Sequence, residues 1–419
     1  AALFIQKSIA VYCERVKKKT KIDFAMRIGL NSGPVIVGSI GDDLRMDYTA
    51  VGDTTNLAAR IQQNANPGEV WASQDTRNII QDYFQVESLG EIHLKGKSHP
   101  QPVYNVIAER PGVRTRFEAV LKRGVTEFIG RGPEMDALKA AFKKAKNREA
   151  QIIDVVGEAG VGKTRLVYEF RETLGSTVTF LTGTCIHYGR NISFLPVIDI
   201  VKEVFGIRDG MIEEDISKLI IEKSTGGLES MIPFYRKLLS LKVDDPIFDL
   251  LDAEGAKFGT FEAVKDLLFS VSEKKPLILF LDDVHWIDKI SEELFTYFSR
   301  SFFKSPILMI TTCRPEGTPA WAQGTHYQRL GLETLSSRSS IRLMRNLLGG
   351  TALNPDLEEK LVERAGGNPF FVEETIRELL DRGDLVKKGG KYASVQPIEK
   401  IESPGTIQGV LAARMDRLS

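Results

Sequence analysis

Residues 157–165, GEAGVGKTR, space two glycines, a lysine and a threonine as G-x-x-x-x-G-K-T. Gly157 and Gly162 let a backbone loop wrap an anion, and Glu158, Ala159, Gly160 and Val161 can turn successive N–H groups inward. Lys163 can reach β- and γ-phosphates, the Thr164 hydroxyl can ligate Mg2+, and Arg165 opens a helix whose positive end faces the anion. A second set closes the apolar run PLILFLDDVHWID with Asp282 and Asp283. A carboxylate at the tip of a buried strand is costly unless it meets a cation. Asp282 is therefore expected to hold Mg2+, directly or through its water, and Asp283 to orient or polarise an attacking water. The third set lies in DYTAVGDTTNLAAR, residues 47–60, where Asn56 and Arg60 fall one turn apart on a helix. Such an amide and guanidinium either pair on the surface or aim together at something negatively charged.

Elements must position these groups. Up to about residue 107 a helical pattern around Leu3, Ile5, Ile9 and Val11 leads to the strand-like FAMRIGL and a hairpin, NSGPVIVGSIG, turning at Gly33-Pro34. GEVWAS, a polar helix from Thr76 to Tyr83 and the ladder GEIHLKGKSHPQPVYNVI follow. Mixed strands, hairpins and helices suggest an α+β sheet with helices on one face. AERPGVRTRF reads as a linker. Beyond it, AQIIDVVG, VTFLTGT, PLILFLDD and PILMITT alternate with amphipathic helices, the pattern of a parallel sheet covered on both faces. Residues 353–385 read as helical, and DLVKKGGKYASV as a small hairpin before a last helix.

The chain has 419 residues, enough for two or three domains. Lys+Arg and Asp+Glu balance at 56 each, so no global field favours nucleic acid or an anionic membrane. Three scattered cysteines exclude a disulfide framework and fit a reducing, cytoplasmic compartment. No apolar run approaches the roughly 18–20 residues of a membrane span. The sequence opens and closes inside amphipathic patterns without an initiator methionine, and is expected to be an excerpt of a longer protein.

Two resemblances follow from these motifs. FIGRGPEMDAL, the phosphate loop, LILFLDDVHW, ITTCRPE and GGNPFFVEE occur in the order seen in signalling ATPases of the STAND class, relatives of AAA+ proteins. That resemblance implies that Phe128, Ile129, Gly130 and Arg131 lie by the adenine. It also implies that Arg314 senses the γ-phosphate and that Pro369 contacts the nucleotide from a helical subdomain. MRIGLNSGPVIVGSIG, DYTAVGDTTNLAARI and HLKGKSHPQPVYNVI resemble the C-terminal half of a class III nucleotidyl cyclase catalytic domain. By that resemblance Asn56 orients the ribose, Arg60 stabilises charge developing on the phosphoryl group, Thr49 reads the purine, and Lys97 (or Lys95) binds the triphosphate. Asp53 and Thr54 suit the helix N-cap. A threonine can donate or accept, so the preference for ATP over GTP is soft. The family's two metal-binding aspartates lie upstream of MRIGL, so this excerpt is expected to be inert as a cyclase on its own. Its site is expected to be completed by a second cyclase domain, from another copy or from upstream.

The fold class is thus α/β: a ferredoxin-like α+β cyclase half-domain over 1–108, a linker over 109–126, a three-layer α/β/α P-loop NTPase core over 127–330, a helical lid over 331–385, and the start of a winged helix over 386–419. The leading reading is a signalling adenylate cyclase fused to an ATP-driven regulatory domain. It would bind ATP at both sites with Mg2+, or Mn2+ at the cyclase site, and would need neither membrane nor nucleic acid. The alternative is a non-catalytic cyclase-fold sensor on a STAND switch, serving transcription through its winged helix.

Overall fold

The computed structural model describes residues 2–21, 24–33, 36–40, 47–51, 53–94, 99–110, 126–186, 192–208, 211–246 and 248–395. The chain divides into two compact units that part between Thr126 and Glu127.

In the first unit the element order is α1 (Ala2–Thr20), β1 (Ile28–Leu30), β2 (Ile36–Ile40), β3 (Asp47–Val51), α2 (Asp53–Asn64), β4 (Val70–Ser73), α3 (Gln74–Ile80), β5 (Phe84–Ile92) and β6 (Gln101–Glu109). A four-stranded sheet runs β1-β4-β6-β5, with β1 parallel to β4 and the other pairs antiparallel. Two expectations need correction. The hairpin does not join β1 to β2: β2 pairs with β3, Ile36 facing Val51, while β1 lies beside β4. Helices also cover both faces of the sheet. Strand residues alternate sides, so Trp71 and Val103 pack with Leu57 and Ile61 of α2. Val70, Ala72 and Val106 pack on the other face with Leu3 of α1 and Ile80 of α3.

Helix α2 lies so close to β1 that a Cβ at Gly29 would fall 2.3 Å from the Ala58 carbonyl oxygen and 2.4 Å from the Gln62 nitrogen. Only glycine permits that approach. The Asn31 amide then donates to the Thr54 carbonyl at 3.0 Å, tying the start of the helix to the end of the strand.

In the second unit a five-stranded sheet is parallel throughout, in the order β11-β7-β10-β9-β8. Its strands are β7 (Gln151–Val156), β8 (Thr179–Thr184), β9 (Leu277–Asp282), β10 (Ile307–Cys313) and β11 (Tyr327–Gly331). The surrounding helices are α4 (Gly132–Lys146), α5 (Lys163–Leu174), α6 (Leu195–Phe205), α7 (Glu213–Lys223), α8 (Ile232–Leu238), α9 (Ala253–Lys274) and α10 (Lys289–Ser299). Every residue of β9 and β10 is buried. Leu277, Leu279 and Leu281 enter one core cluster while Ile278 and Phe280 enter the other, which is why these runs are apolar without interruption. The segment expected to form a lid consists of α11 (Ser337–Leu347), α12 (Pro355–Ala365) and α13 (Pro369–Asp381), followed by the hairpin β12 (Leu385–Lys388) and β13 (Lys391–Ser394). The hairpin matches expectation. The expected final helix lies outside the described residues.

Candidate functional sites

The phosphate-loop motif connects β7 to α5. Gly162 precedes α5 with φ at 98°, a left-handed conformation that glycine adopts without strain. Lys163 is buried, and its Nζ donates to the carbonyls of Gly157 at 2.8 Å and Glu158 at 3.0 Å. Burial lowers its pKa, opposed chiefly by the charges of Asp283 and Asp282. The ammonium therefore lies at the neck of the loop, within the electrostatic reach of both carboxylates.

Thr164 and Asp282 come together. The Thr164 hydroxyl is 3.1 Å from each carboxylate oxygen of Asp282. Burial, then the charge of Asp283, pushes the Asp282 carboxyl up to about 7, while Thr312, Thr164 and Lys163 pull it down. A desolvated carboxylate beside a hydroxyl is a set of hard oxygen donors, and that fits Mg2+. Among the described residues no three His, Cys, Asp or Glu side chains gather to hold a metal. At this site Thr164 and Asp282 would share the ion with phosphate oxygens.

Asp283 differs from its neighbour. Its backbone is left-handed, φ 55° and ψ 47°, and its side chain is half exposed beyond the strand end. Its carboxylate stands 3.8 Å from His285 Nδ1. Trp286 packs against His285 with ring centroids 4.9 Å apart and planes tilted by 47°, and Arg314 lies 5.9 Å from the centroid of the Trp286 ring. Asp283, His285 and Arg314 thus form one wall beside the loop.

Residues 128–131 reach the far side. Phe128 lies under Arg165 at 5.8 Å, Ile129 is buried, Gly130 has φ at 73°, and Arg131 is left-handed with φ at 67°. The Arg131 guanidinium donates to the Val161 carbonyl at 3.1 Å and to the Glu333 carbonyl. Arg165 is held in an ion pair with Glu169 at 2.6 Å. Pro369 is the first residue of α13, and Asn368 before it reaches the loop at Ala159.

Sequence reasoning missed Thr312. Its hydroxyl donates to Asp282 at 2.6 Å and accepts from the Asp283 backbone N–H at 2.7 Å. One side chain so fixes both acids. A hydroxyl within the apolar run ILMITTC was the available signal.

In the first unit α2 presents Leu57 and Ile61 to the sheet, leaving Asn56 exposed and Arg60 half-buried. Among the described residues neither side chain has a hydrogen-bond partner. Asp53 is the first helical residue, where its charge meets the helix dipole. Thr49 lies in β3 opposite Gly38, and its side chain is outside the described set, as are Lys95 and Lys97.

Residues 4–108 match the family model of the adenylate and guanylate cyclase catalytic domain, residues 127–310 that of an AAA ATPase domain, and residues 336–386 that of a domain of unknown function. An uncharacterized protein of Rhizobium meliloti (strain 1021) is 25% identical over 393 residues, covering 89% of this chain and 37% of its own length. The rabbit (Oryctolagus cuniculus) protein named adenylate cyclase type 10 is 23% identical over 400 residues, covering 88% of this chain and 23% of its own. Soluble guanylate cyclase 89Da of Drosophila melanogaster is 38% identical over 88 residues, 20% of this chain and 13% of that one. The chain thus spans less than two-fifths of the length of each of these relatives. Among its described residues no helix is long and apolar enough to cross a membrane. Residues 4–108 accordingly belong to the adenylate and guanylate cyclase catalytic-domain family, and residues 127–310 to the AAA ATPase domain family.

Proposed function

We propose that the second unit is a nucleotide switch that binds and slowly hydrolyses Mg2+–ATP. In this reading the first unit supplies the asparagine–arginine half of an adenylate cyclase site in a cytoplasmic signalling protein. The observation that carries the first claim is the contact of Thr164 with both oxygens of Asp282, beside a loop whose lysine is buried at its neck. Bound there, Mg2+ would neutralise charge on the β- and γ-phosphates. Lys163 exchanges its two carbonyl partners for phosphate oxygens. Asp283 accepts a hydrogen bond from the attacking water as its oxygen bonds to the γ-phosphorus and the bond to the bridging oxygen breaks. Arg314 approaches the same phosphoryl group from beside Trp286. Thr312 holds Asp282 and the Asp283 backbone, so both acids keep their places during the reaction.

For the cyclase half, Arg60 stabilises charge on the α-phosphate as the ribose 3′-oxygen attacks and pyrophosphate leaves, and Asn56 orients the ribose. The unpartnered state of both side chains suits a role completed by a second cyclase domain with its metal-binding carboxylates. ATP is the favoured substrate on the strength of Thr49, and Lys97 or Lys95 would hold its triphosphate. We further propose that nucleotide at Lys163 regulates cyclic AMP output.

The test uses the protein with each triphosphate and Mg2+ or Mn2+. ATP binding and phosphate release that vanish in Lys163→Ala support the switch, and equal binding by the variant rejects it. In the full-length protein, cyclic product from GTP alone rejects the adenylate assignment. Cyclic AMP output unmoved by Lys163→Ala rejects regulation.

A further inference from the structure

Five consecutive carbonyls of the phosphate loop each meet a donor. Lys163 takes those of Gly157 and Glu158, and the Asn368 Nδ2 takes that of Ala159 at 2.9 Å. The Phe370 backbone N–H takes that of Gly160 at 3.3 Å, and Arg131 that of Val161. In a trans peptide the carbonyl and the next N–H point opposite ways. With the Ala159 and Gly160 carbonyls tied outward, the Gly160 N–H turns to the loop's inner side, where an anion would be held, while the Val161 N–H makes a long 3.5 Å turn bond to the Glu158 carbonyl.

Both of these ties come from the lid. Asn368 is buried at 8% exposure, and its Oδ1 accepts from the Phe370 N–H at 3.1 Å, capping α13. One amide thus caps the lid helix with its oxygen and grips the phosphate loop with its nitrogen. The fit demands glycine across from it: φ at Gly160 is 84°, and a Cβ there would lie 2.8 Å from both Asn368 Oδ1 and Phe370 Cβ. The segment before the cap is anchored too, since the Leu335 N–H donates to the Gly367 carbonyl at 2.7 Å.

We propose that Asn368 is a positioning residue that latches the lid onto the phosphate loop, so that nucleotide leaves only when this latch opens. It rests on the reading of residues 157–164 as a nucleotide site. A docked lid holds the Gly160 N–H ready for phosphate, and bound phosphate in turn fixes the carbonyls that the lid grips. Retention of nucleotide and docking of the lid are therefore one equilibrium.

The experiment is stopped-flow association and displacement of fluorescently labelled ADP on the whole protein. Asn368→Asp keeps an oxygen for the Phe370 N–H but sets a second one, not a donor, against the Ala159 carbonyl. Asn368→Ser keeps a capping oxygen and is too short to reach. Each is expected to release nucleotide about tenfold faster, the size of one lost hydrogen bond to a buried acceptor, with association little changed. Gly160→Ala is expected to act in the same direction from the loop side. A general loosening of the fold would slow association as well, and that result overturns the proposal. So does release by both Asn368 variants within twofold of the parent rate, and if Lys163→Ala has meanwhile abolished binding, the nucleotide site itself stands. A parent protein that retains no labelled ADP overturns both.

Discussion

The two units hold their chemistry in opposite ways. In the second, each reactive group has a neighbour that fixes it: Lys163 on loop carbonyls, Thr164 on Asp282, and Asp282 on Thr312. In the first, Asn56 and Arg60 leave a well-packed helix side by side and meet no partner among the described residues. A site built within one sheet records itself as internal contacts. A site completed by another domain, as proposed for the first unit, would show only a rigid base with donors set on it. The base here is rigid for a steric reason, since α2 rests on Gly29 at distances that no side chain tolerates.

Lys163→Ala should break the second site outright. The substitution removes the cation at the loop neck, so nucleotide affinity is expected to fall more than 100-fold, by calorimetry or labelled-nucleotide binding, an order typical of removing a phosphate-binding charge. Retained binding would mean that the loop contacts serve structure alone. The comparison then turns to Arg60→Ala. In the full-length protein the rate of cyclic product formation is expected to drop about 100-fold, the scale seen when one charge-stabilising donor is removed. Thermal stability should not move, because the guanidinium has no partner among the described residues of its unit. A drop in melting temperature with unchanged cyclisation would turn the contrast around, making Arg60 a structural residue.

How far this contrast was legible in the sequence depended on burial. The strands β7 to β10 announce themselves as apolar runs, and the loop and the twin aspartates at their ends follow. β11 went unread because YQRLG is an edge strand whose side chains are half exposed, so neither a buried run nor clean alternation appears. VWAS, buried at all four positions, is too short to say that its two faces meet different helices. Asn56 and Arg60 were visible as a pair, but their spacing is common to any helix surface. Their standing came from flanking motifs. Asp154 drew no notice at all in AQIIDVVG, yet strand parity delivers it to the core beside Ile152 and Val156.

Asp154 offers a sharper probe of the second unit. It is 1% exposed; its Oδ2 accepts from the Tyr327 hydroxyl at 3.1 Å, and its Oδ1 has no partner. Burial pushes its carboxyl up to about 6, against the hydrogen bond from Tyr327 and the charge of Arg329. The raised value means that the folded state holds the proton more tightly than the unfolded chain does. Stability from this group is complete below about pH 4 and is lost as pH rises through about 6, an expected swing of roughly 3 kcal/mol. About 2 kcal/mol of it falls between pH 4.5 and 7.5, and Asp154→Asn should erase most of that, measured as denaturant midpoints at the two values. An unaltered pH profile would show that the carboxyl is already ionised in the folded protein.

The smallest expected effect tests how Thr312 serves both acids. Thr312→Val keeps the shape and removes the hydroxyl, so Asp282 loses its shortest hydrogen bond and the Asp283 N–H loses its acceptor. Each loss is worth about 1 kcal/mol for a neutral partner and somewhat more for a carboxylate. If the acids only needed a strand end, the variant would lose stability and keep its chemistry. If Thr312 fixes their aim, the Mg2+ concentration for half-maximal nucleotide retention should rise about tenfold, and hydrolysis should fall by a similar factor at saturating Mg2+. No such residue touches the Arg60 side chain among the described residues, and in the proposed reading the group that aims it stands on another domain. A matching tenfold loss from a substitution on β1 or β4, behind α2, would show that the first unit aims its own site after all.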